Sequence, residues 1–251
     1  MEIMKNVVRE KIRKKMLYVA TALGILVMAV FSSDMGSITV GGKSVNDYYI
    51  LLPILINVMN FLAGAIALAV SCSTIPQEYE RRTSHLIWSR GVSQARYHMD
   101  LTAGNIAVAW ISGAILYIAM AVFSILKGYE AILGKVILSA FFMMIYTAII
   151  CMLTSALSIK LPTVFTITIM VFILVCGAFR DALILLMAAI TGPAGAILKR
   201  AVRIIPDLSG ISKQAGNLIQ NKPVNAHVII IALFMMWLAG LLVLVLKREE
   251  A

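Results

Sequence analysis

The sequence predicts an all-α membrane protein with six transmembrane helices, an N-terminal amphipathic surface helix and a re-entrant outer segment before the last helix. Three observations carry this prediction. The chain has 251 residues, of which 61% are hydrophobic and 14% charged, whereas a soluble domain carries about 25% charged residues. Its mean hydropathy is +0.94, and its apolar residues come in runs long enough to cross a bilayer. Basic clusters flank these runs at both ends of the chain, where positive charge sets orientation.

The first fifteen residues have a basic amphipathic pattern. Met4, Val8 and Ile12 recur every four residues, and lysines and arginines fill most of the other positions. We therefore expect residues 1–15 to form a helix that lies in the membrane surface and contacts lipid. The six positive charges ahead of the first span predict a cytoplasmic N-terminus.

Six apolar runs are interpreted as spans, within a single transmembrane domain covering residues 1–251. They are about residues 16–31, 49–70, 101–126, 131–157, 163–180 and 227–246. After the first span, Gly41-Gly42 lies between Ile38–Val40 and Lys43–Val45, which predicts a small outer hairpin with a two-residue turn. The chain ends in a basic cluster that starts at Lys247, so both termini are expected in the cytoplasm.

The segment 182–226 is interpreted as an outer re-entrant hairpin followed by surface helices. Residues 182–191 are apolar but too few to cross a bilayer, and Gly192-Pro193 interrupts them. This interpretation leaves Lys199 and Arg200 outside, against the positive-inside tendency. The alternative makes residues 182–198 a seventh span and places the C-terminus outside, and it stays open.

Several functional classes find no support in the sequence. Residues 37–44 are one residue short of a phosphate-binding loop, because Ser37 stands where that motif requires glycine. Cys72, Cys151 and Cys176 lack the spacing of a disulfide framework or a metal site. We therefore expect no catalytic residue, metal or cofactor on this chain. The net charge of +10 lies largely beside the spans, which favours anionic lipid over nucleic acid as its partner.

The segment 71–100, between the second and third spans, differs from its apolar surroundings and is expected in the cytoplasm. We expect Glu78 and Glu80 in the first turn of a short helix, where the helix dipole favours acidic residues. Gly91 then allows a turn, and Ser93 can cap a second helix that leads into the third span. The pattern predicts two helices joined by a turn, suited to receive a soluble partner.

Two stretches of this segment resemble the permease subunits of type-two ATP-binding-cassette (ABC) exporters. They are Glu78–Thr83 and Arg90–Gln94. In that family an E-x-E-x-G-T-like stretch precedes a P-V-S-R-like stretch between spans two and three. Here Arg82 stands for the glycine, Gly91 for the proline and Gln94 for the final arginine. The resemblance extends over nearly the whole chain, since the surface helix, the six spans and the re-entrant segment also match.

The resemblance implies a transport subunit without catalysis of its own in a bacterial plasma membrane. Two permease chains, expected here as a homodimer, assemble with two copies of an ABC ATPase subunit that bind ATP and Mg. The loop between spans two and three is the coupling helix that docks on the ATPase. Carried over by position, the ATPase-coupling residues are Glu78, Tyr79, Glu80, Arg81, Arg82, Thr83, Leu86 and Trp88.

Three asparagines within the spans, Asn57, Asn60 and Asn105, are candidates for the lining of the substrate path. The alternative role for each is a hydrogen bond between helices. An apolar path with a few amides favours an amphipathic substrate such as a peptide, drug or lipid, and hence a role in antimicrobial peptide resistance.

Two other functions are compatible with parts of the pattern or differ from it in a definite way. A membrane anchor or sensor that recruits a soluble partner without transport would use the segment 71–100 equally well. A secondary transporter would require inverted repeats and charged residues at mid-membrane, and the sequence shows neither.

Overall fold

The structure is a computed structural model that describes residues 2–32, 39–40, 43–44, 48–81, 88–89, 91–188, 202 and 205–248. These residues are almost entirely helical. Four helices are long and apolar enough to cross a membrane, and the number rises to six if each of two bent helix pairs counts as one span. The predicted six spans therefore correspond to the upper end of this range.

The described elements alternate between two ends of a helical bundle. The helices are α1 (Glu2–Arg13), α2 (Met16–Ser32), α3 (Tyr48–Ser71), α4 (Thr74–Glu80), α5 (Gln94–Leu126), α6 (Leu133–Lys160), α7 (Thr163–Ala178), α8 (Arg180–Ala188), α9 (Leu208–Ile219) and α10 (Ala226–Val245). A 3-10 turn, Glu130–Ile132, precedes α6. The strands β1 (Thr39–Val40) and β2 (Lys43–Ser44) pair antiparallel, with Val40 opposite Lys43. The pairing confirms the predicted hairpin and its two-residue connection.

The two ends of the bundle are identified by the contacts of α3. At the end near α1, named here the α1 end, Lys11 Nζ donates to the carbonyl oxygen of Val70 at 2.8 Å. At the opposite end, Gln220 Nε2 donates to the carbonyl oxygen of Tyr49 at 2.8 Å. Helices α3 and α4 together form one nearly continuous rod of 32 residues, Tyr49–Glu80. The rod therefore extends past the Lys11–Val70 hydrogen bond and stays in contact with α1, since Arg81 at its end lies 3.3 Å from Glu10.

The buried side chains form two clusters. The larger lies where α3, α5, α6 and α9 meet. The smaller lies at the α1 end and consists of Val7, Ile75, Tyr97, Leu101, Ala156, Ile159 and Val243. The apolar face of α1 packs on α5, where a Cβ at Gly104 would lie 2.8 Å from Val7 Cβ. The predicted N-terminal helix is thus present, and its apolar stripe contacts protein.

The two helices between residues 71 and 100 are also present, with one correction. Helix α4 starts at Thr74, so Glu78 and Glu80 lie in its second half, and their predicted place in the first turn is wrong. The physical reason is that α4 continues the direction of α3 after a short turn. Gly91 has φ of +78°, and Ser93 Oγ accepts a hydrogen bond from the backbone N–H two residues into α5. Both local predictions are confirmed.

The segment 182–226 is described only in part. Helix α8 turns away from α7 by 76°, and α9 packs antiparallel to α3, with Ser212 beside Asn60 and Gln220 beside Tyr49. A helix of 12 residues is about 18 Å long, so the start of α9 lies about that far along α3 from Tyr49. The alternative seventh span at residues 182–198 falls largely outside the described residues.

Candidate functional site

Tyr79 on α4 is the centre of a polar cluster at the α1 end. Gln94 Nε2 donates to the Tyr79 hydroxyl at 2.7 Å, and the hydroxyl shares a second hydrogen bond of 2.8 Å with His98 Nε2. The Arg248 guanidinium lies over the Tyr79 ring, 4.7 Å from its centroid. The Trp88 ring meets the same ring edge-on at 5.9 Å. The Tyr79 cluster therefore joins α4, the start of α5 and the chain after α10.

A further bond closes this cluster. Gln94 Nε2 also donates to the carbonyl oxygen of Arg248 at 3.0 Å, so one amide group contacts both α4 and the C-terminal chain. Beside the cluster, the Tyr97 hydroxyl donates to Glu78 Oε2 at 2.8 Å. The inward face of α4 is completed by Ile75, which is fully buried. Helix α4 is thus held against α5 by side chains along its length.

The outward face of α4 carries a separate set of charges. Glu80 and Arg81 are exposed, and Arg81 approaches Glu10 on α1 at 3.3 Å. Glu10 also pairs with Lys14 at 2.9 Å. The hydrogen bond from Lys14, followed by that from Arg81, holds the pKa of Glu10 below its usual value, against the opposing effect of partial burial. The charged surface of α4 is therefore continuous with that of α1.

The predicted coupling residues accordingly divide into three groups. Glu80 and Arg81 face solvent, while Glu78, Tyr79 and Trp88 are half-buried. The first two of these half-buried residues are held in contacts within the chain. The remaining three, which are Arg82, Thr83 and Leu86, lie outside the described residues.

The joint between α3 and α4 is braced by α1. Val70 near the end of α3 presents a carbonyl oxygen that the Lys11 ammonium reaches at 2.8 Å, in a buried position. The Thr74 hydroxyl lies 2.8 Å from the same oxygen and 3.0 Å from Asn105 Oδ1. One hydroxyl donates one proton, and because Lys11 already satisfies Val70, Thr74 is free to donate to Asn105. The joint thus connects α1, α3, α4 and α5.

The three predicted path residues do not form one group. Asn60 is completely buried, accepts from the Tyr117 hydroxyl at 2.8 Å and donates to Ser212 Oγ at 3.0 Å. Asn105, also fully buried, faces the α3–α4 joint at the other end of α5. Since Asn105 and Tyr117 are separated by twelve residues of helix, the two amides lie about 18 Å apart along α5. Asn60 and Asn105 therefore have interhelical partners, whereas Asn57 is exposed on the wall of a cavity.

That cavity is a feature sequence reasoning missed. It lies between α3, α6, α8 and α9, and one ion pair is part of its lining. Asp181 binds Lys213 at 2.6 Å, and the neighbouring Arg180 binds Asp207 at 3.2 Å. Asp207 also caps α9 through the backbone N–H of Gly210. A sequence signal exists, because Arg180-Asp181 stands at the end of an apolar run, but that pattern by itself indicates only the end of a span.

No family model matches the chain, and no curated protein matches it. In the part of the chain that the structure describes, no group of three or more His, Cys, Asp or Glu side chains is placed to hold a metal ion. The described helices define the class at a coarse level, as an all-helical protein with several apolar helices able to span a membrane.

Proposed function

We propose that the chain is the membrane-spanning subunit of an ATP-driven ABC exporter in a bacterial plasma membrane. Two copies of the chain would assemble with two ATPase subunits, which hold ATP and Mg, and both termini would lie in the cytoplasm. The substrate would be amphipathic, such as a peptide, drug or lipid, and would cross by alternating access.

The observation that carries the proposal is the division of α4 into two faces. Its inward side is fixed to α5 and to the chain after α10 through Glu78 and Tyr79. Its outward side leaves Glu80 and Arg81 in solvent. A force applied by a soluble partner to the outward side would therefore reach several helices at once. The resemblance of Glu78–Thr83 to the coupling stretch of type-two exporters supports the same assignment.

The test begins with native membranes. The tagged chain is purified and a co-purifying ATPase with a complete phosphate-binding loop is identified, and the complex is reconstituted in liposomes for measurements of ATP hydrolysis. We expect the E80A/R81A double variant to weaken ATPase binding by about two- to thirtyfold, since exposed charge pairs contribute about 0.2–1 kcal/mol each. The matched control is E2A/K5A, which removes one exposed acid and one exposed base from α1.

The outcomes separate the candidate functions. An ATPase that binds through Glu80 and Arg81 and hydrolyses ATP faster in the presence of an amphipathic substrate supports the exporter. An ATP-independent partner, or hydrolysis that no substrate changes, favours the membrane anchor or sensor. If no ATPase accompanies the chain, or if both double variants behave alike, the exporter proposal is wrong.

A further inference from the structure

The cavity between α3, α6, α8 and α9, named here the α9 cavity, has a volume of about 390 Å³. Pockets that bind small molecules occupy about 300–1,000 Å³. Its lining includes an apolar pair, named here the apolar wall, in which Phe61 on α3 and Phe179 after α7 have ring centroids 6.3 Å apart. Its lining also includes Asn57, Asp181 and Lys213, of which the last two are named here the charged wall. The cavity therefore offers apolar and charged groups to the same occupant.

The charged wall is the ion pair between Asp181 and Lys213, and both side chains are about half exposed. Lys213 Nζ lies 2.6 Å from Asp181 Oδ2, yet the two side chains are 57% and 47% exposed. Ser209 Oγ also donates to Asp181 Oδ2 at 2.9 Å. Lys213 precedes Gln220 by seven residues on α9, so the pair lies about 10 Å along the helix from the Tyr49 end of α3. Charges at such a depth in a membrane protein face a partner or a wet cavity and mark ligand sites.

A second observation that points to a ligand comes from α6. Tyr146 on α6 lines the cavity with a side chain only 1% exposed. Its hydroxyl has no hydrogen-bond partner among the described residues. The ring is fixed in place, because a Cβ at Gly64 would lie 2.6 Å from Tyr146 Cε1. Buried hydroxyls are almost always hydrogen-bonded, so this hydroxyl is a donor for which the described residues supply no acceptor.

We propose that the α9 cavity binds the head group of a zwitterionic amphipath, a molecule with an ammonium group, an anionic group and an apolar chain. This inference rests on the proposed export function and names the class of its substrate. The ammonium group would bind Asp181 and the anionic group would bind Lys213, while the Tyr146 hydroxyl donates to an oxygen of the head group. The apolar chain would lie along Phe61 and Phe179.

The preference for a zwitterion follows from the ion pair itself. A ligand with one charge can bind Asp181 or Lys213 only by displacing the other residue. The charge of the displaced residue then loses its partner and keeps only the partial solvation of its half-exposed position. A zwitterion replaces both halves of the pair at once. Discrimination therefore arises from the charge that a wrong ligand would leave unpaired.

The test uses the chain alone in dodecyl maltoside micelles, without an ATPase. Three amphipaths with the same twelve-carbon chain are added at equal mole fraction, and their retention is measured by native mass spectrometry. The three probes are dodecylphosphocholine, dodecyltrimethylammonium and dodecyl phosphate. We expect dodecylphosphocholine to bind about tenfold or more tightly than the other two, as one lost charged hydrogen bond predicts. Phosphocholine without a chain is the fourth probe, and we expect it to bind more weakly, since it lacks the part that contacts the apolar wall.

Single substitutions change the preference in opposite directions. D181N removes the partner of the Lys213 ammonium, and this variant is expected to bind dodecyl phosphate most tightly. K213Q removes the partner of the Asp181 carboxylate, and this variant is expected to bind dodecyltrimethylammonium most tightly. Y146F is expected to weaken dodecylphosphocholine binding about fivefold, the effect of one neutral hydrogen bond, without changing the charge preference. K222Q removes an exposed lysine outside the cavity and is the matched control.

The double variant D181K/K213D, which reverses the ion pair, is the control for single variants that fail to fold. It retains one charge of each sign and is expected to keep the preference for dodecylphosphocholine. The inference is overturned if the wild-type chain binds the three charged probes equally, or if D181N and K213Q shift selectivity in the same direction. It is also overturned if phosphocholine alone binds as well as the chained probe. Because the assay contains no ATPase, failure of the exporter proposal would leave its result unchanged.

Discussion

Two buried tyrosines that differ in their hydroxyl partners give the sharpest prediction on stability. Tyr117 and Tyr146 are 5% and 1% exposed, so replacement by phenylalanine removes one buried oxygen from each. The Tyr117 hydroxyl donates to Asn60 Oδ1 at 2.8 Å, whereas the Tyr146 hydroxyl has no partner among the described residues. Substitutions of the same chemistry should therefore change stability in opposite directions.

The magnitudes follow from the two environments. Y117F removes a hydrogen bond between membrane helices, which costs about 0.6 kcal/mol on average and at most about 1.7 kcal/mol. Y146F removes a buried hydroxyl that has lost its solvation without gaining a hydrogen bond from the described residues, which should recover about 1 kcal/mol or more. For a chain of this size, 1 kcal/mol corresponds to a change in Tm of about 2–4 °C. We expect Y117F to melt about 1–7 °C lower than the wild type and Y146F about 2–4 °C higher.

The assay is thermal denaturation of each purified variant in dodecyl maltoside, followed by circular dichroism. Y18F is the control, since the Tyr18 side chain is exposed and its replacement should leave Tm unchanged. The reasoning is refuted if Y146F destabilises the protein as much as Y117F does, because its hydroxyl must then have a partner in the folded state. Addition of dodecylphosphocholine should raise the Tm of the wild type more than that of Y146F.

Three further predictions concern the α1 end. G104L should displace α1 from α5, since a single Cβ at Gly104 already comes within 2.8 Å of a side chain on α1, and limited proteolysis should then cleave the N-terminus faster without loss of the bundle. R248A should lower Tm by about 1–4 °C through loss of a cation–π contact of about 0.5–1 kcal/mol, whereas K247A, at an exposed position, should not change it. The depressed pKa of Glu10 implies that its contribution to stability is complete above its ordinary pKa and is lost as the pH falls through the depressed value. The fall in Tm between pH 6 and pH 3 should therefore be smaller in E10Q, and an identical fall would contradict that contribution.

Local signals in the sequence were sufficient for several elements. The Gly41-Gly42 hairpin, the turn at Gly91 and the helix cap at Ser93 are each decided by a few neighbouring residues, and the structure confirms all three. The basic amphipathic helix near the N-terminus follows equally directly from its periodicity. The place of Glu80 within α4 could not be predicted this way, because the start of α4 depends on how α3 ends.

The α9 cavity could not be predicted for a related reason. Asp181 and Lys213 are 32 positions apart, and their contact depends on the antiparallel packing of α9 on α3. In the sequence, Tyr146 is one of many apolar residues in α6, and the lack of a hydrogen-bond partner for its hydroxyl among the described residues depends on how the neighbouring helices pack. The candidate asparagines illustrate the same limit, since residue type alone does not distinguish Asn60, which joins three helices, from Asn57, which faces the cavity.

The length of the rod Tyr49–Glu80 has a mechanical consequence. Its 32 residues span about 48 Å, and its Glu80 end extends past the hydrogen bond from Lys11 to the Val70 carbonyl oxygen. A tilt of about 5° about that hydrogen bond would move the opposite end of the rod by about 3 Å, because roughly 32 Å of helix separates Val70 from Tyr49. Gln220 is hydrogen-bonded to Tyr49 and would move with it. A small displacement at the α1 end would therefore cause a displacement at the opposite end of the bundle.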